Sequence, residues 1–394
     1  MDILGRCECS VWCRKISEKM LEDAYRDFYR KQVANRIEKL HKSAPRNNTH
    51  PEIRTVKSIQ SKLKNNEAMI APADKGNSLV ILPIHQYESK IQDFIDTNNF
   101  STSTSNPTKI FQSQVRKTIN HSPHLIPPNS KWKLINLNPS PPSLKGLIKL
   151  HKPDHPIRPV VNWRNAPAYK LAKSFSQKIT QLTPLPFAFN MSNSTDLINQ
   201  LLQTPITPTT TFASLDITNM YSNVPIKDTK KILEDITLNN RTDPDIRLEL
   251  LSWFDTIVKQ NYFLHNNNTF IQKEGLAMGA LSSSILSEIF LQHTEHSHLP
   301  RISMKHKLIN YFRYVDDILL IYDSSHTDIT SILNDFNPIH PNLTFTDELE
   351  RDNKLSFLDI TIHKPPPGHK DLNIQKTYLH RHSDPIQVKP PTTT

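Results

Sequence analysis

Apolar residues recur at helical spacing near the start of the chain. In residues 15–45, Ile16, Met20, Ala24, Phe28 and Val33 fall near one stripe with charges elsewhere, and Pro45 ends the pattern. A second helix is expected over 52–65. The pattern then shortens. SLVIL, after a turn at Asp74-Lys75-Gly76, predicts a short buried strand, and TNNFSTSTSNPT (97–108) a polar loop. IKLHKPDHPIRPVV predicts two short strands split by a proline turn. TFASLDI (211–217) reads as a strand ending at an aspartate. Helices follow at about 226–238 and 244–260, then a hairpin, YFLHNNNTFIQKEG, with an asparagine-rich turn. A helix over about 280–295 precedes a second hairpin, YFRYVDDILLIY (311–322). One more helix fits 326–336, with NLTFTDELE and KLSFLDITIHK each as a strand, and the chain from about 377 reads as unstructured. The mixture is an α+β pattern without internal repeats.

Composition narrows the chemistry. Only 6 of 394 residues are glycine, and none has the spacing of a Gly-rich phosphate loop. Phosphate handling here must rest on metal ions and cationic side chains. The length allows two or three compact lobes, and 30 prolines point to long irregular connections. Lys and Arg number 48 against 38 Asp and Glu, a balance of +10 that favours a polyanionic partner. No apolar run of membrane-spanning length and no signal-peptide pattern is present, so the expectation is an intracellular chain with no membrane partner. Cys7, Cys9 and Cys13 read as free thiols, with no fourth ligand nearby for zinc.

The acids are the sharpest local signal. Asp316 and Asp317 sit between two strongly strand-forming runs, where a two-residue turn ordinarily takes Asn-Gly or Asp-Gly. Two close like charges repel by roughly 1–4 kcal/mol. A hard cation such as Mg²⁺ turns that repulsion into binding. Asp216 also ends a strand. If both elements share a sheet, three carboxylates can hold two divalent ions of the kind that clamp an in-line phosphoryl displacement. Taken singly, Val-Asp-Asp also fits an exposed acidic turn, and Asp216 an ordinary strand-end aspartate.

These residues resemble a known family. SLDITNMYSNVPI, EGLAMGALSSSILSEIF and YVDD look like motifs A, B and C of reverse transcriptases, in that order. APADKGNSLVIL, KLHKPDHPIRPVV and KLSFLDITI, with the hairpin ahead of motif B, are similar to the reverse transcriptases of Penelope-like retroelements. The resemblance runs from about 70 to 380. It implies an α+β right-hand polymerase fold with fingers and palm, an antiparallel palm sheet and a thumb largely missing. The domains it implies are a basic helical N-terminal extension (1–50), a fingers-like region (51–200), a palm (201–376) and an unstructured tail (377–394).

By that resemblance, Asp216, Asp316 and Asp317 fall on the catalytic, metal-binding carboxylates, with Asp216 and Asp316 the direct ligands and the Ile217 carbonyl an extra one. The implied cofactor is two Mg²⁺ ions, with Mn²⁺ as substitute. The implied partners are an RNA template, a DNA primer and deoxynucleoside triphosphates. Tyr221 falls against the sugar of the incoming nucleotide, although a core aromatic would look the same. Lys152 and Arg158 fall on the triphosphate-binding cations, with Lys149, His151 and Lys75 as further candidates. Met278 and Gly279 fall beside the incoming nucleotide. Lys354 falls where a motif D lysine protonates pyrophosphate, and a surface lysine before a strand fits equally. His293, His296 and His298 read as solvated or capping residues at the end of the motif B helix.

The chain also departs from the family. Relatives read GLPMGSPLSP in motif B, whereas Ala277, Ala280 and Ser284 stand here, and lost prolines loosen a loop. Few residues follow KLSFLDITI, so neither a helical thumb nor a GIY-YIG endonuclease is expected. Two functions follow: an RNA-directed DNA polymerase, nuclear in location, or a catalytically inactive retroelement remnant that only binds nucleic acid.

Overall fold

The computed structural model describes residues 51–98, 100–103, 105–150, 152–182, 185, 189–277, 279–364 and 372–376. The expected helix over 15–45, the three cysteines, His151, Met278 and the tail lie outside the described residues. The chain divides into two units, Met1–Met69 and Ile70–Thr394. In the first, helix α1 (Pro51–Asn65) opens on a proline, carries Glu52 in its first turn and Lys62 and Lys64 in its last, and buries none of its residues. That charge order complements the helix dipole.

Next along the chain comes a two-stranded ribbon, β1 (Ala68–Pro72) and β2 (Leu79–Pro83). SLVIL was expected to be buried. Leu79 is instead 70% exposed and Ile81 is exposed as well, while Leu82 is buried. A lone ribbon has one face to pack, here toward α2 (Ile84–Thr97), and leaves the other open. Next come β3 (Ser101–Ser103), α3 (Thr108–Asn120), the single turn α4 (Lys131–Leu134), β4 (Ser143–Ile148), β5 (Ile157–Asn162), α5 (Tyr169–Leu182) and α6 (Ser194–Leu201). β3 falls within the expected polar loop, because Ser101 to Ser103 find strand partners 166 to 170 residues downstream.

After β6 (Thr210–Ile217), the short α7 (Met220–Asn223), α8 (Ile226–Asn239) and α9 (Pro244–Val258), the chain makes the hairpin β7 (Tyr262–His265) and β8 (Asn268–Ile271). Its turn residues, Asn266 and Asn267, are both left-handed, the conformation asparagine tolerates best after glycine. These strands form a five-stranded sheet in the order β3-β8-β7-β4-β5.

Helix α10 (Ser283–His306) runs eleven residues past its expected end. Leu299 and Ile302 keep its inner face buried, and Pro300 sits on the exposed side, where water can meet the freed carbonyl. His293, His296 and His298 are therefore mid-helix and cap nothing. β9 (Asn310–Tyr314) and β10 (Asp317–Asp323) follow, then α11 (Ile329–Phe336), capped by the Asp328 side chain, and β11 (Phe345–Leu349). KLSFLDITIHK, expected as one strand, is the hairpin β12 (Lys354–Phe357) and β13 (Ile360–His363), extended by β14 (Asn373–Lys376). Leu358 turns left-handed between them, so inward Leu355 and Phe357 meet inward Ile360 and Ile362.

The sheet that carries the three aspartates has four strands, β11-β6-β10-β9, all antiparallel. One face packs Phe212, Leu319 and Ile321 against Leu197 and Leu201 of α6 and the inner residues of β12 and β13. The other presents Ile217, Tyr311 and Phe345 to Leu291 of α10 and Phe336 of α11. The β9 edge is covered by Phe189 to Met191, which exchange backbone hydrogen bonds with Arg313 at 2.9 and 2.7 Å.

Candidate active site

Register brings the acids together. In the β6–β10 ladder Asp317 lies directly opposite Asp216, and side chains so paired stand about 5 Å apart at Cβ. Both lie on the sheet face that holds Leu319 and Ile321, at its open end. The hairpin tip is one residue earlier than expected. Val315 and Asp316 make the turn, and Asp317 is already the first residue of β10, paired with Tyr314. Asp316 is tied to motif A through its carbonyl, which accepts the Ile217 amide at 3.2 Å.

Both tip carboxyls are held above the usual range. Burial, and then the Asp216 charge, raise Asp316. Burial, Asp316 and Asp216 together push Asp317 up to about 6, against the pull of Lys75 and Arg158. Among the described residues, no three acid, imidazole or thiol groups already stand as a metal cage. The donor set nevertheless fits a hard divalent cation: oxygen ligands, partial burial and mutual repulsion that a cation would relieve.

Cations face this group from the β4–β5 hairpin and the loop after β1. The Lys149 ammonium is destabilised by burial, then by Arg158 and Lys152, and is favoured by Asp74 and Asp216. The sequence reading ranked Lys149 behind Lys152. Lys152 instead belongs to the connecting turn and is exposed, with its amide bonded to the Lys149 carbonyl at 3.1 Å. Arg158, in β5, bonds Asp74 through Nε at 2.9 Å, and Asp74 is only 4% exposed. Among the described residues, the other Asp74 oxygen, Oδ2, is buried without a hydrogen-bond partner. Asp74 itself is fastened to the hairpin by its amide, which donates to the Ile148 carbonyl at 2.9 Å.

The two motif B glycines approach protein backbone. Gly275 and Gly279 have φ of +75° and +85°, and a Cβ on either would lie 2.1 Å from the carbonyl oxygen of Ser222 or Val161. The loop therefore presses on α7 and on β5 at once. The Leu276 amide donates to the Tyr221 carbonyl at 2.7 Å, and the Ser283 hydroxyl to the Ala277 carbonyl at 2.6 Å. These bonds hold the segment that missing prolines were expected to loosen. Tyr221 is half-buried in α7, and its phenol is raised by burial, then by Asp316 and Glu288, which sets it beside the acids. Lys354 starts β12 beside Arg351 and Glu350, and Glu350 bonds Phe212. Phe212 is four residues from Asp216 along β6, about 13 Å.

Sequence reasoning missed Arg313. It is fully buried within YFRYVDD and bonds both Glu288 and Glu295 of α10 at 2.5–3.0 Å. Its Nη1 also donates to the Val315 carbonyl at 3.2 Å, and Tyr311 donates its hydroxyl to Glu295 at 2.7 Å. The signal was present: an arginine between apolar strand residues, and two glutamates seven apart on one helix face.

Fold and site together define a polymerase-like architecture of mixed helix and sheet. Residues 150–340 match the family model for reverse transcriptase (RNA-dependent DNA polymerase). The match covers 191 of the 394 residues, and over that segment the chain is similar to reverse transcriptases. No curated protein matches the chain. Solved structures that it resembles include telomerase from Candida albicans in complex with a TWJ fragment of telomeric RNA. That match has a TM-score of 0.53 and 14% identity, over 81% of this chain and 55% of that one. Apo telomerase from Candida tropicalis gives a TM-score of 0.54 and 10% identity, over 81% and 57%. The apo enzyme truncated from its C-terminal domain gives 0.51 and 11%, over 78% and 63%. The chain thus spans 55–63% of these telomerase chains. At such identities the likeness is one of fold.

Proposed function

We propose that this chain is a Penelope-like reverse transcriptase that adds deoxynucleotides to a DNA primer 3′-hydroxyl on an RNA template. The observation that carries the reading is the register pairing Asp317 with Asp216, with Asp316 in the adjoining turn. Asp216, Asp316 and the Ile217 carbonyl would hold two Mg²⁺ ions, or Mn²⁺ in their place, with Asp317 supporting them. Ions held there would supply Lewis acidity for the attacking hydroxyl and the leaving pyrophosphate.

The protein's own groups do the rest. Arg158, already oriented by Asp74, and Lys149 and Lys75 meet the triphosphate charge, with Lys152 at the rim. Tyr221 packs under the sugar and leaves no space for a 2′-hydroxyl. Gly279 and the segment around Met278 border the nascent base pair. In this reading 51–200 act as fingers and 201–376 as palm. The alternative, an inactive remnant that binds nucleic acid, draws on Ala277, Ala280 and Ser284 in motif B.

Primer extension on an RNA template, with Mg²⁺ and then Mn²⁺, separates the two. The expected result is extension that Asp216→Asn or Asp316→Asn abolishes while nucleic-acid binding persists. Extension retained in both variants sinks the site. Binding without extension by the unaltered chain selects the remnant.

A further inference from the structure

The positive charge of this chain is not spread along it. Between Thr97 and Thr195 there are 13 Lys and Arg residues and a single acid, Asp154. That stretch carries +12, more than the +10 of the whole chain, so the remainder sums to −2. Several of these cations border the site already described, but Lys131, Lys133 and Lys170 do not. They surround α4, which joins α3 to the irregular approach to β4.

Trp132 stands at the centre of this group and is 64% exposed. The other described tryptophans, Trp163 and Trp253, are buried. Trp132 is also fixed. Its indole N–H donates to the Asn129 carbonyl at 3.1 Å, and the Lys133 ammonium stands 5.9 Å from the ring centroid. Lys131 and Lys170 are anchored in the same way, on the carbonyls of Asn120 and Ile135 at 3.1 and 3.0 Å. Among the described residues none of these three lysines is ion-paired. An exposed Leu137 extends the apolar surface.

A held aromatic face ringed by unpaired cations matches one kind of ligand. Unpaired bases stack on such a ring, and the backbone phosphates meet the ammonium groups. A paired duplex offers the phosphates but keeps its base faces covered. We propose that the α4 surface, centred on Trp132 with Lys131, Lys133 and Lys170, binds an unpaired nucleic-acid strand outside the polymerase site. The proposal deepens the polymerase reading by adding a strand contact. It does not need catalysis, so it can be tested on the Asp216→Asn chain.

Affinity for fluorescein-labelled oligouridine and oligodeoxythymidine, read by anisotropy, tests it, and the two strands side by side show which one the surface takes. Trp132→Ala should weaken binding of one or both about 5- to 100-fold, as loss of a stacked base does. Trp132→Phe should stay within about threefold of the parent. Lys131→Ala with Lys133→Ala should lower the slope of log affinity against log salt by about 1.4, at roughly 0.7 per single-strand phosphate. A blunt RNA–DNA hybrid should be nearly indifferent to Trp132→Ala. Thermal melting checks that Trp132→Ala folds like the parent, as an exposed side chain predicts. Unchanged affinity for both single strands in a folded Trp132→Ala, or an equal loss on the hybrid, overturns the proposal.

Discussion

Two charged groups on neighbouring strands of the four-stranded sheet meet opposite fates. Arg313 is buried, yet each of its nitrogens bonds a glutamate on α10. Three residues on, Asp316 and Asp317 are only partly buried, but they face another acid. In the first group burial is met by pairing, so it fixes structure. In the second, charge of one sign is gathered without neutralisation by its immediate neighbours, which is the condition for taking up a cation. Burial alone therefore does not distinguish the two groups; the sign of the neighbours does.

Neutralising one member on each side should break the comparison in different ways. Asp216→Asn should reduce primer extension by about a thousandfold or more, a loss of several kcal/mol of charge stabilisation, with the melting temperature unchanged or raised. Arg313→Met should act on folding. It strands the buried Glu295 and the partly buried Glu288 and should cost about 3–5 kcal/mol in urea unfolding. Arg313→Lys should recover only part of this, because one ammonium cannot bond both carboxylates as the guanidinium does. If Arg313→Met unfolds normally and Asp216→Asn is severely destabilised, the contrast is the wrong way round.

A pH series sharpens the picture. The unfolded Asp317 carboxyl titrates near its ordinary 3.8 and the folded one at about 6, so the folded state binds more protons between them. Stability must fall as pH rises through that window, and the full penalty applies above it. In metal-free buffer, Asp317→Asn should therefore be more stable than the parent at pH 7.5, by about 1–3 kcal/mol, and indistinguishable from it near pH 4. Urea titrations at the two pH values decide this. Adding Mg²⁺ at pH 7.5 should narrow the gap, because only the parent keeps the full ligand set. The smallest effect is expected at Tyr221. Tyr221→Ala should lower discrimination against ribonucleotides about tenfold, read from competing ribo- and deoxynucleotide incorporation. Unaltered sugar preference with a much lower melting temperature would make Tyr221 a packing residue.

Much of this was legible before any coordinates. Asparagines at a two-residue turn announced the β7–β8 hairpin, and TFASLDI was legible as the strand β6, ending at an aspartate. What escaped were features whose cause lies elsewhere in the chain. Nothing local shows that Leu358 turns left-handed, so two strands looked like one. The exposure of Leu79 and Ile81 follows from how few strands their ribbon has. Lys149 is partly buried and Lys152 is exposed in the turn because of where the β4–β5 turn begins, which prolines indicate only loosely. At the motif B glycines, what a Cβ would meet is the backbone of Ser222 and Val161, which the local sequence does not show.

The strap along β9 bears on how this chain behaves in company. A sheet edge with free amides and carbonyls recruits strands from other molecules, and so leads to aggregation. Phe189 to Met191 occupy that position beside Arg313. At the opposite edge, β11 exposes Asp347 and Glu348, which would confront the same acids on a second copy. One edge is thus closed by occupancy and the other guarded by repulsion. Both features work against edge-to-edge pairing of this sheet with a second copy.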